Sequence, residues 1–271
     1  FDEVHKLPEP QRVEKTKGLH KNFAYKLGLS ATIQNEYEVV REQFIKDEFG
    51  PQIDEYQLDD AIRNGVLSPF NYHSFKYVLN DDEEAKIAFY MSMTGSTDLR
   101  WTDDFIATMC AKVHGKAVDK RKKLIEFLSK DNNINYIRRS FFFFINHEDY
   151  HDEIMPFLNR NGNFRAVDGE TSDNEAISDF KKGKLDGLCL CNKASEGISI
   201  NDLRSIFLLN TDAKRIKTIQ RLGRALRIDE KNKERANIFD FILDKGDDKT
   251  KESDYKRREW LTEIAKVSPN D

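Results

Sequence analysis

The sequence predicts an α/β fold in which helices flank a parallel sheet. From residue 71 to residue 242, short apolar runs of strand length alternate with helical segments, as a parallel sheet with helical crossovers requires. The run at 140–145 contains four consecutive phenylalanines, which suit a strand that is covered on both faces. A length of 271 residues is compatible with one or two domains.

The first 66 residues form a separate region that precedes this alternation. Gly50, Pro51 and Gly65 are stop signals for the helical segments before them. We therefore place the first domain at 1–66, with a linker near 65–69. The expected elements are a buried strand at 27–29, a helix at 36–49, a short strand at 53–58 and a short helix at 59–64.

A second domain is expected at 67–245, followed by a charged tail at 246–271 that holds a helix near 255–265. A capping box at 172–175 starts one of its helices, and Pro156 is expected to kink or break another. The expected strands are 71–79, 140–145, 164–167, 185–191, 203–209 and 237–242. The expected helices before the tail include 81–93, 103–129, 147–160 and 172–182.

The stretch from Gln220 to Arg227 reads Gln-Arg-Leu-Gly-Arg-Ala-Leu-Arg. On a helix Arg224 and Arg227, three residues apart, would lie on one face. Gly223 would keep that face thin enough for a phosphate or a second domain to approach. The spacing suits two arginines that neutralise charge on a transferred γ-phosphoryl group. The alternative is the basic end of a surface helix.

Five stretches, in this order, resemble the motifs of superfamily 2 helicases and translocases of the DExH group. The likeness is greatest to the XPB-like, type III restriction-like and phage branched-DNA helicase branch. The stretches are Asp-Glu-Val-His at 2–5 (motif II), Ser-Ala-Thr at 30–32 (motif III), 141–146 (motif IV), 192–201 (motif V) and 220–227 (motif VI). The resemblance implies a complete RecA-like C-terminal lobe and a remnant of the N-terminal RecA-like lobe.

The resemblance also implies roles for residues around ATP and Mg²⁺. Asp2 would hold Mg²⁺, and Glu3 would orient or deprotonate the attacking water. The residues implied to contact the nucleotide across the cleft are Gly197, Ser199, Gln220, Arg224 and Arg227, with catalytic roles for Glu3, Gln220, Arg224 and Arg227. The residues implied to couple the ATP site to lobe movement are His5, Ser30 and Thr32.

Nucleic acid is the implied partner, with DNA favoured over RNA, and its phosphates would be gripped without reading of base sequence. The residues at the matching places are Asn146, Gly169, Thr171, Lys193 and Ser195. The basic run at 120–123 is a further candidate for a backbone contact, and its alternative is a solvated helix face.

The sequence contains no phosphate-binding loop of the form Gly-x-x-x-x-Gly-Lys-Ser/Thr. We therefore expect this chain to be part of a larger ATP-dependent motor, to need a missing N-terminal lobe for ATP and Mg²⁺, and to hydrolyse little ATP alone. Two alternatives stay open. One is the translocase subunit of a restriction or defence system, and the other is a helicase-like lobe that binds nucleic acid or protein without catalysis.

The composition excludes other classes of protein. A net charge of −4 argues against a polycationic coat, so nucleic acid has to be bound by a local groove. The sequence shows neither an apolar run of about 20 residues nor a signal-peptide pattern. We expect the three cysteines to be reduced, with those of Cys189-Leu-Cys191 on opposite faces of a strand, in a cytoplasmic protein without a membrane partner.

Overall fold

The computed structural model describes Val4, Gly18 and residues 23–30, 39–98, 100–130, 132–144, 153–168, 173–191, 202–210, 215–228, 235–244 and 252–269. Contacts between residues divide the chain into two compact units, Phe1–Gln57 and Leu58–Asp271. The domain boundary expected near residue 66 stays a prediction.

The first unit contains helix α1, Val39–Phe49, which confirms the predicted helix over its described part. Gly50 follows with a φ of 91°, a left-handed conformation that ends a helix readily. The strands predicted at 27–29 and 53–58 are wrong, because the described residues there lie outside any strand. Leu27 and Leu29 are exposed instead of buried. Among the described residues, the Val4 N–H donates to the Leu29 carbonyl (3.0 Å).

The second unit is built on a six-stranded sheet in the order β1-β6-β5-β2-β4-β3. Every pairing in it is parallel, as the alternation of strands and helices predicts. Its strands are β1 (Phe70–Tyr77), β2 (Ser140–Phe144), β3 (Phe164–Val167), β4 (Gly187–Cys191), β5 (Ser205–Leu208) and β6 (Ala236–Leu243). All six predicted strands of this region are therefore confirmed, each within a few residues of its expected bounds.

Helices connect and cover these strands. They are α2 (Leu58–Arg63), α3 (Asp81–Ser92), α4 (Asp103–Lys116), α5 (Val118–Leu128), α6 (Ile154–Asn161), α7 (Asp173–Lys181), α8 (Arg215–Ala225) and α9 (Glu252–Ile264), with a 3-10 helix at Asn133–Ile137. Pro156 is the third residue of α6, in the first turn, where its missing N–H is not needed. Among the described residues no helix is long and apolar enough to cross a membrane.

The single helix predicted at 103–129 is two helices, α4 and α5. Ala117 separates them with an extended backbone (φ −50°, ψ 127°). The first N–H of α5, at Val118, donates to the Glu83 carboxylate on α3 (2.9 Å). A cap supplied by a distant residue therefore accompanies a break that local sequence does not mark.

The sheet is buried on both faces because side chains alternate along its central strands. Phe141 and Phe143 of β2 belong to one hydrophobic cluster, and Phe142 and Phe144 belong to the other. Cys189 and Cys191 of β4 both lie in the second cluster, so the expectation of opposite faces was wrong. Residues two apart on a strand share a face. Both thiols are buried, and burial raises the pKa of Cys189.

An aromatic ladder crosses the second face of the sheet in strand register. Phe142 stacks on Phe207 with ring centroids 4.2 Å apart, and Phe207 stacks on Phe239 at 4.3 Å. The imidazole of His73, on the edge strand β1, continues the stack at 4.6 Å from Phe239. These residues are direct partners across β2, β5, β6 and β1, so strand pairing itself aligns the rings.

Helix α9 is attached to the sheet by a buried ionic network. Arg257 donates to both carboxylate oxygens of Asp240 on β6 (2.9 and 3.1 Å) and to Asp254 (3.0 Å). The hydroxyl of Tyr72 on β1 donates to the same Asp240 carboxylate (2.9 Å). Burial opposes the charge on Arg257, but Asp240 and Asp254 outweigh it and raise the pKa of Arg257. The C-terminal helix is therefore packed onto the sheet.

Candidate nucleotide and nucleic-acid site

Helix α8 carries most of the candidate motif at 220–227, and its sequence sets which face is buried. Thr218, Arg221, Leu222 and Ala225 are buried, at the i, i+3, i+4, i+7 spacing of one helical stripe. Backbone positions 220, 223 and 224 lie on the opposite side of the helix, because successive residues are rotated by about 100°. The helix therefore presents the positions of Gln220 and Arg224 away from the sheet.

Arg221, the first arginine of the motif, fastens α8 to the carboxyl end of the sheet. Its guanidinium donates to the backbone carbonyl of Asn210, just after β5, at 2.5 Å. The same group lies over the ring of Phe143 on β2, with 4.7 Å between the guanidinium carbon and the ring centroid. Asn210 in turn donates its N–H to the Phe143 carbonyl (2.9 Å). Arg221 is thus a structural clamp that joins α8, β5 and β2.

The end of α8 corrects the geometry expected for the arginine pair. The helix ends at Ala225, so Arg224 lies on it and Arg227 lies beyond it. The two arginines therefore do not share a helical face. Leu226 still donates its N–H to Leu222 (2.9 Å), and the chain then pairs with the segment before β1. Arg227 forms an isolated antiparallel bridge with Leu67, and the Ser68 N–H donates to Leu226 (2.7 Å). The Arg227 side chain is exposed.

The surface of α8 at Gly223 is open. A Cβ placed on Gly223 would meet no heavy atom within 4 Å. The backbone of the helix is therefore accessible on the side of positions 220 and 224. This observation agrees with a thin face that a phosphate group can approach closely.

The basic run at 120–123 contains one buried lysine, Lys120, and three residues with partly or fully exposed side chains. The Lys120 ammonium is buried, donates to the carbonyls of His114 and Leu209 (both 2.8 Å), and lies 4.3 Å from the Tyr77 ring centroid. Lys123 donates to the Lys76 carbonyl (2.5 Å) and pairs with Asp119 at 2.9 Å. Arg121 is half-buried and lies 3.8 Å from the Glu153 carboxylate. Lys120 therefore lies neither on a solvated helix face nor in contact with a nucleic-acid backbone, the two expected alternatives. It is a structural cation.

The residues expected to grip nucleic acid lie outside the described residues. Asn146 follows β2, Gly169 and Thr171 follow β3, and Lys193 and Ser195 follow β4. These three strands are neighbours in the sheet and run in parallel, so the chain leaves all three at the same edge. The carboxyl edge is where open α/β sheets bind ligands.

Several other candidate positions cannot be given side-chain geometry. Asp2, Glu3, His5, Thr32, Gly197 and Ser199 lie outside the described residues, and for Gln220 and Arg224 only the backbone in α8 is described. Ser30 is half-buried at the end of the described segment 23–30. Within the described part of the chain, no three His, Cys, Asp or Glu side chains are grouped to hold a metal ion.

Sequence reasoning missed the structural cations of the site, Arg221 and Lys120. The signal for Arg221 was available, because it falls on the apolar stripe of α8 together with Leu222 and Ala225. The signal for Lys120 was weak, because its two carbonyl partners come from another helix and from the end of β5.

Comparison with known proteins identifies this region. Residues 119–229 match the family described as the helicase conserved C-terminal domain. The predicted helicase 22 of Sulfolobus islandicus filamentous virus (isolate Iceland/Hveragerdi) is 41% identical over 68 residues, which are 25% of this chain and 12% of that protein. This chain therefore matches only a small part of the viral relative's length.

Solved structures of helicases share the fold. The Pyrococcus furiosus Hef helicase domain has a TM-score of 0.51 at 12% identity, over 97% of this chain and 72% of that one. A predicted HsdR subunit of a type I restriction enzyme from Vibrio vulnificus YJ016 has a TM-score of 0.55 at 19% identity, over 81% and 40%. Saccharomyces cerevisiae Dbp5 bound to RNA and ADP BeF3 has a TM-score of 0.52 at 14% identity, over 100% and 59%.

The family match covers the chain from α5 to just past α8, and so includes β2 to β5 and the stretches that resemble motifs IV, V and VI. The six-stranded parallel sheet with flanking helices is the architecture of a RecA-like lobe. These findings confirm the resemblance to superfamily 2 helicases. Residues 119–229 therefore carry a helicase conserved C-terminal domain, and the fold that contains them is that of a RecA-like lobe.

Proposed function

We propose that this chain is the C-terminal part of an ATP-dependent helicase or translocase and supplies the arginine side of its nucleotide site. The observation that carries the proposal is the difference between two arginine positions on α8. Arg221 is buried and fastens the helix to the sheet, while position 224 lies on the opposite, open face. An arrangement that only stabilised the fold would not need a further arginine on the open face.

The open surface at Gly223 fits the approach of a nucleotide phosphate. ATP would supply the γ-phosphoryl group, and Arg224 and Arg227 would neutralise its charge. Gln220, Gly197 and Ser199 would contact the nucleotide, Asp2 would hold Mg²⁺, and Glu3 would orient or deprotonate water. These roles follow from the positions of the residues in the helicase motifs. Ser30, with His5 and Thr32, would couple this site to lobe movement.

Nucleic acid would bind at the carboxyl edge of the sheet, through the segments that follow β2, β3 and β4. The common edge of these strands supports the grouping of Asn146, Gly169, Thr171, Lys193 and Ser195. We propose DNA as the preferred substrate, as in the branch that the motifs resemble. We propose a location in the reducing cytoplasm, which is supported by the lack of a disulfide at Cys110, Cys189 and Cys191 in the described part of the chain.

The test is ATP hydrolysis by the full-length gene product, with and without single-stranded DNA or RNA. Arg224→Ala and Arg227→Ala should each lower the stimulated rate by about 10³-fold or more, the effect of removing such an arginine. Arg160→Ala, which removes an exposed arginine of α6, should leave the rate unchanged. Equal turnover by Arg224→Ala and the unaltered protein would overturn the assignment.

The same measurement separates catalysis from binding alone. The 271-residue chain has no Gly-x-x-x-x-Gly-Lys-Ser/Thr loop, and we expect no turnover from it without the rest of the motor. A full-length product that binds DNA but never hydrolyses ATP would support the non-catalytic alternative instead.

A further inference from the structure

Helices α3 and α4 form a hairpin that exposes a cluster of aromatic side chains. The ring centroid of Trp101 lies 5.9 Å from that of Phe89, 6.4 Å from Tyr90 and 5.6 Å from Phe105. Phe89 and Tyr90 are 5.6 Å apart. Phe89, Tyr90, Trp101 and Phe105 together form a surface that we call the hairpin surface.

The hairpin surface is exposed to an extent that packing within the domain does not explain. Phe89 is 50% exposed and Phe105 43%, and Glu83 is the one residue of α3 that is buried. Full burial of such a side chain contributes about 1.5–3 kcal/mol, so leaving it in water forgoes a large part of that. Contiguous exposed apolar side chains usually mark a surface that binds a partner.

The base of the hairpin is held rigidly. The Glu83 carboxylate accepts the N–H of Asn80 (3.0 Å) at the start of α3 and the N–H of Val118 (2.9 Å) at the start of α5. The Asn80 side chain accepts the Glu83 N–H (2.9 Å), which completes a capping box. Asp119 on α5 accepts the Val78 N–H (2.9 Å). A surface mounted in this way loses little conformational entropy when it binds.

Charges around the hairpin surface limit what can occupy it. Asp103 and Asp104 are exposed in the first turn of α4, next to Trp101 and Phe105. Asp98 is paired with Arg100 at 2.6 Å, so that arginine is already partly neutralised. Lys86 is the lysine of α3, one turn before Phe89. The rim beside the exposed rings is therefore acidic on the α4 side.

The acidic rim disfavours two partners that an aromatic surface could bind, namely a nucleic acid and a second copy of the chain. A phosphate backbone would be repelled by Asp103 and Asp104, although exposed rings can stack on bases. In a two-fold symmetric dimer the same patch faces itself, so these carboxylates would be brought towards their own copies. A partner with apolar side chains and positive charge complements both the rings and the carboxylates at the start of α4.

We propose that the hairpin surface is a docking site for a basic, amphipathic protein helix. Apolar side chains of the partner pack against Phe89 and Phe105, and its lysines or arginines face Asp103 and Asp104. The inference is independent of the nucleotide site, since the hairpin contributes no residue to the helicase motifs. It assigns to this domain a protein partner in addition to nucleic acid.

The test is binding of labelled peptides to the 271-residue chain, measured by fluorescence anisotropy. The probe is an amphipathic peptide of leucine and lysine of about 15 residues, long enough to form a helix. The matched control peptide carries glutamate in place of lysine, and oligothymidine is the third probe. We expect the lysine peptide to bind and the other two to bind at least about tenfold more weakly, a difference of about 1.4 kcal/mol.

Variants of the chain localise the binding. Phe89→Ser with Phe105→Ser, and separately Asp103→Asn with Asp104→Asn, should each weaken the lysine peptide at least about tenfold. Ile53→Ser removes an exposed apolar side chain in the other unit and should change nothing. Failure of the lysine peptide to bind, or binding that survives both double variants, overturns the proposal. Phe89-dependent binding of oligothymidine, or Phe89-dependent self-association, also overturns it, in favour of a nucleic-acid surface or a dimer.

Discussion

The clamp role of Arg221 predicts that the arginines of one motif differ sharply in what their loss does. Replacing Arg221 by Met keeps an unbranched apolar stem in the buried stripe of α8 but removes the guanidinium. The Asn210 carbonyl loses its donor, and the ring of Phe143 loses its cation. Arg227→Met is the matched control, because the Arg227 side chain is exposed past the end of the helix.

The expected cost follows from these two contacts. A hydrogen bond from a charged donor contributes about 1.5–3 kcal/mol, and a desolvated cation–π contact contributes up to about 2 kcal/mol. Because both come from one group and are not additive, we expect Arg221→Met to lower the free energy of unfolding by about 2–4 kcal/mol. Arg227→Met should cost less than about 1 kcal/mol, as for other exposed positions.

Urea unfolding followed by tryptophan fluorescence measures this difference. Both tryptophans, Trp101 and Trp260, lie in the second unit, so the signal reports on the helicase domain and not on the first unit. Equal unfolding free energies for the Arg221→Met and Arg227→Met variants would refute the structural role of Arg221.

Further substitutions test three other parts of the fold. Arg257→Met should lower the free energy of unfolding by about 3–5 kcal/mol, because Asp240 is then left buried without its cation. Adding Asp240→Asn to this variant should restore part of the loss. If urea titrations instead show that the effects of the two substitutions simply add, the direct pairing of Arg257 and Asp240 is contradicted. Phe207→Ala removes the middle ring of the aromatic ladder and should cost about 3–5 kcal/mol, whereas Phe89→Ala at the exposed surface should cost far less. Burial lowers the pKa of His73 from 6.5, and its Nε2 has no hydrogen-bond partner among the described residues. The unfolded chain therefore takes up this proton more readily, so the free energy of unfolding should fall as the pH drops below about 6.5. His73→Phe should flatten that dependence in pH-resolved unfolding, and an unchanged slope would exclude His73 as its source.

The central strands of the sheet were predictable because they are almost wholly apolar. The runs around Phe141–Phe144 and Leu188–Cys191 are buried on both faces. A fully buried strand of a parallel sheet can be recognised from its apolar composition alone. The same reasoning failed at 27–29, where an apolar run lies outside any strand and is exposed. A short apolar run predicts a strand only where a neighbouring strand completes its hydrogen bonds.

The sequence predicted the motif of the candidate site but not the three-dimensional arrangement of its residues. The helix under Gln220 and Arg224 follows from sequence, whereas the departure of Arg227 from it does not. After the helix the backbone of Arg227 pairs with Leu67, which is distant in sequence, and no local sequence pattern predicts that bridge. The break at Ala117 is of the same kind, because Glu83 of another helix caps α5.

The position of β1 has a consequence for biosynthesis. Of the six strands of this sheet, β1 emerges first from the ribosome, yet its pairing is with β6, the last of the six to be made, and Asn71 meets Asn237 across 166 residues of chain. At about 5–20 residues per second, translation leaves roughly 8–33 seconds between the two. Throughout that interval β1 lacks the strand with which it pairs, so its place in the sheet is filled only after the other five strands have been synthesised.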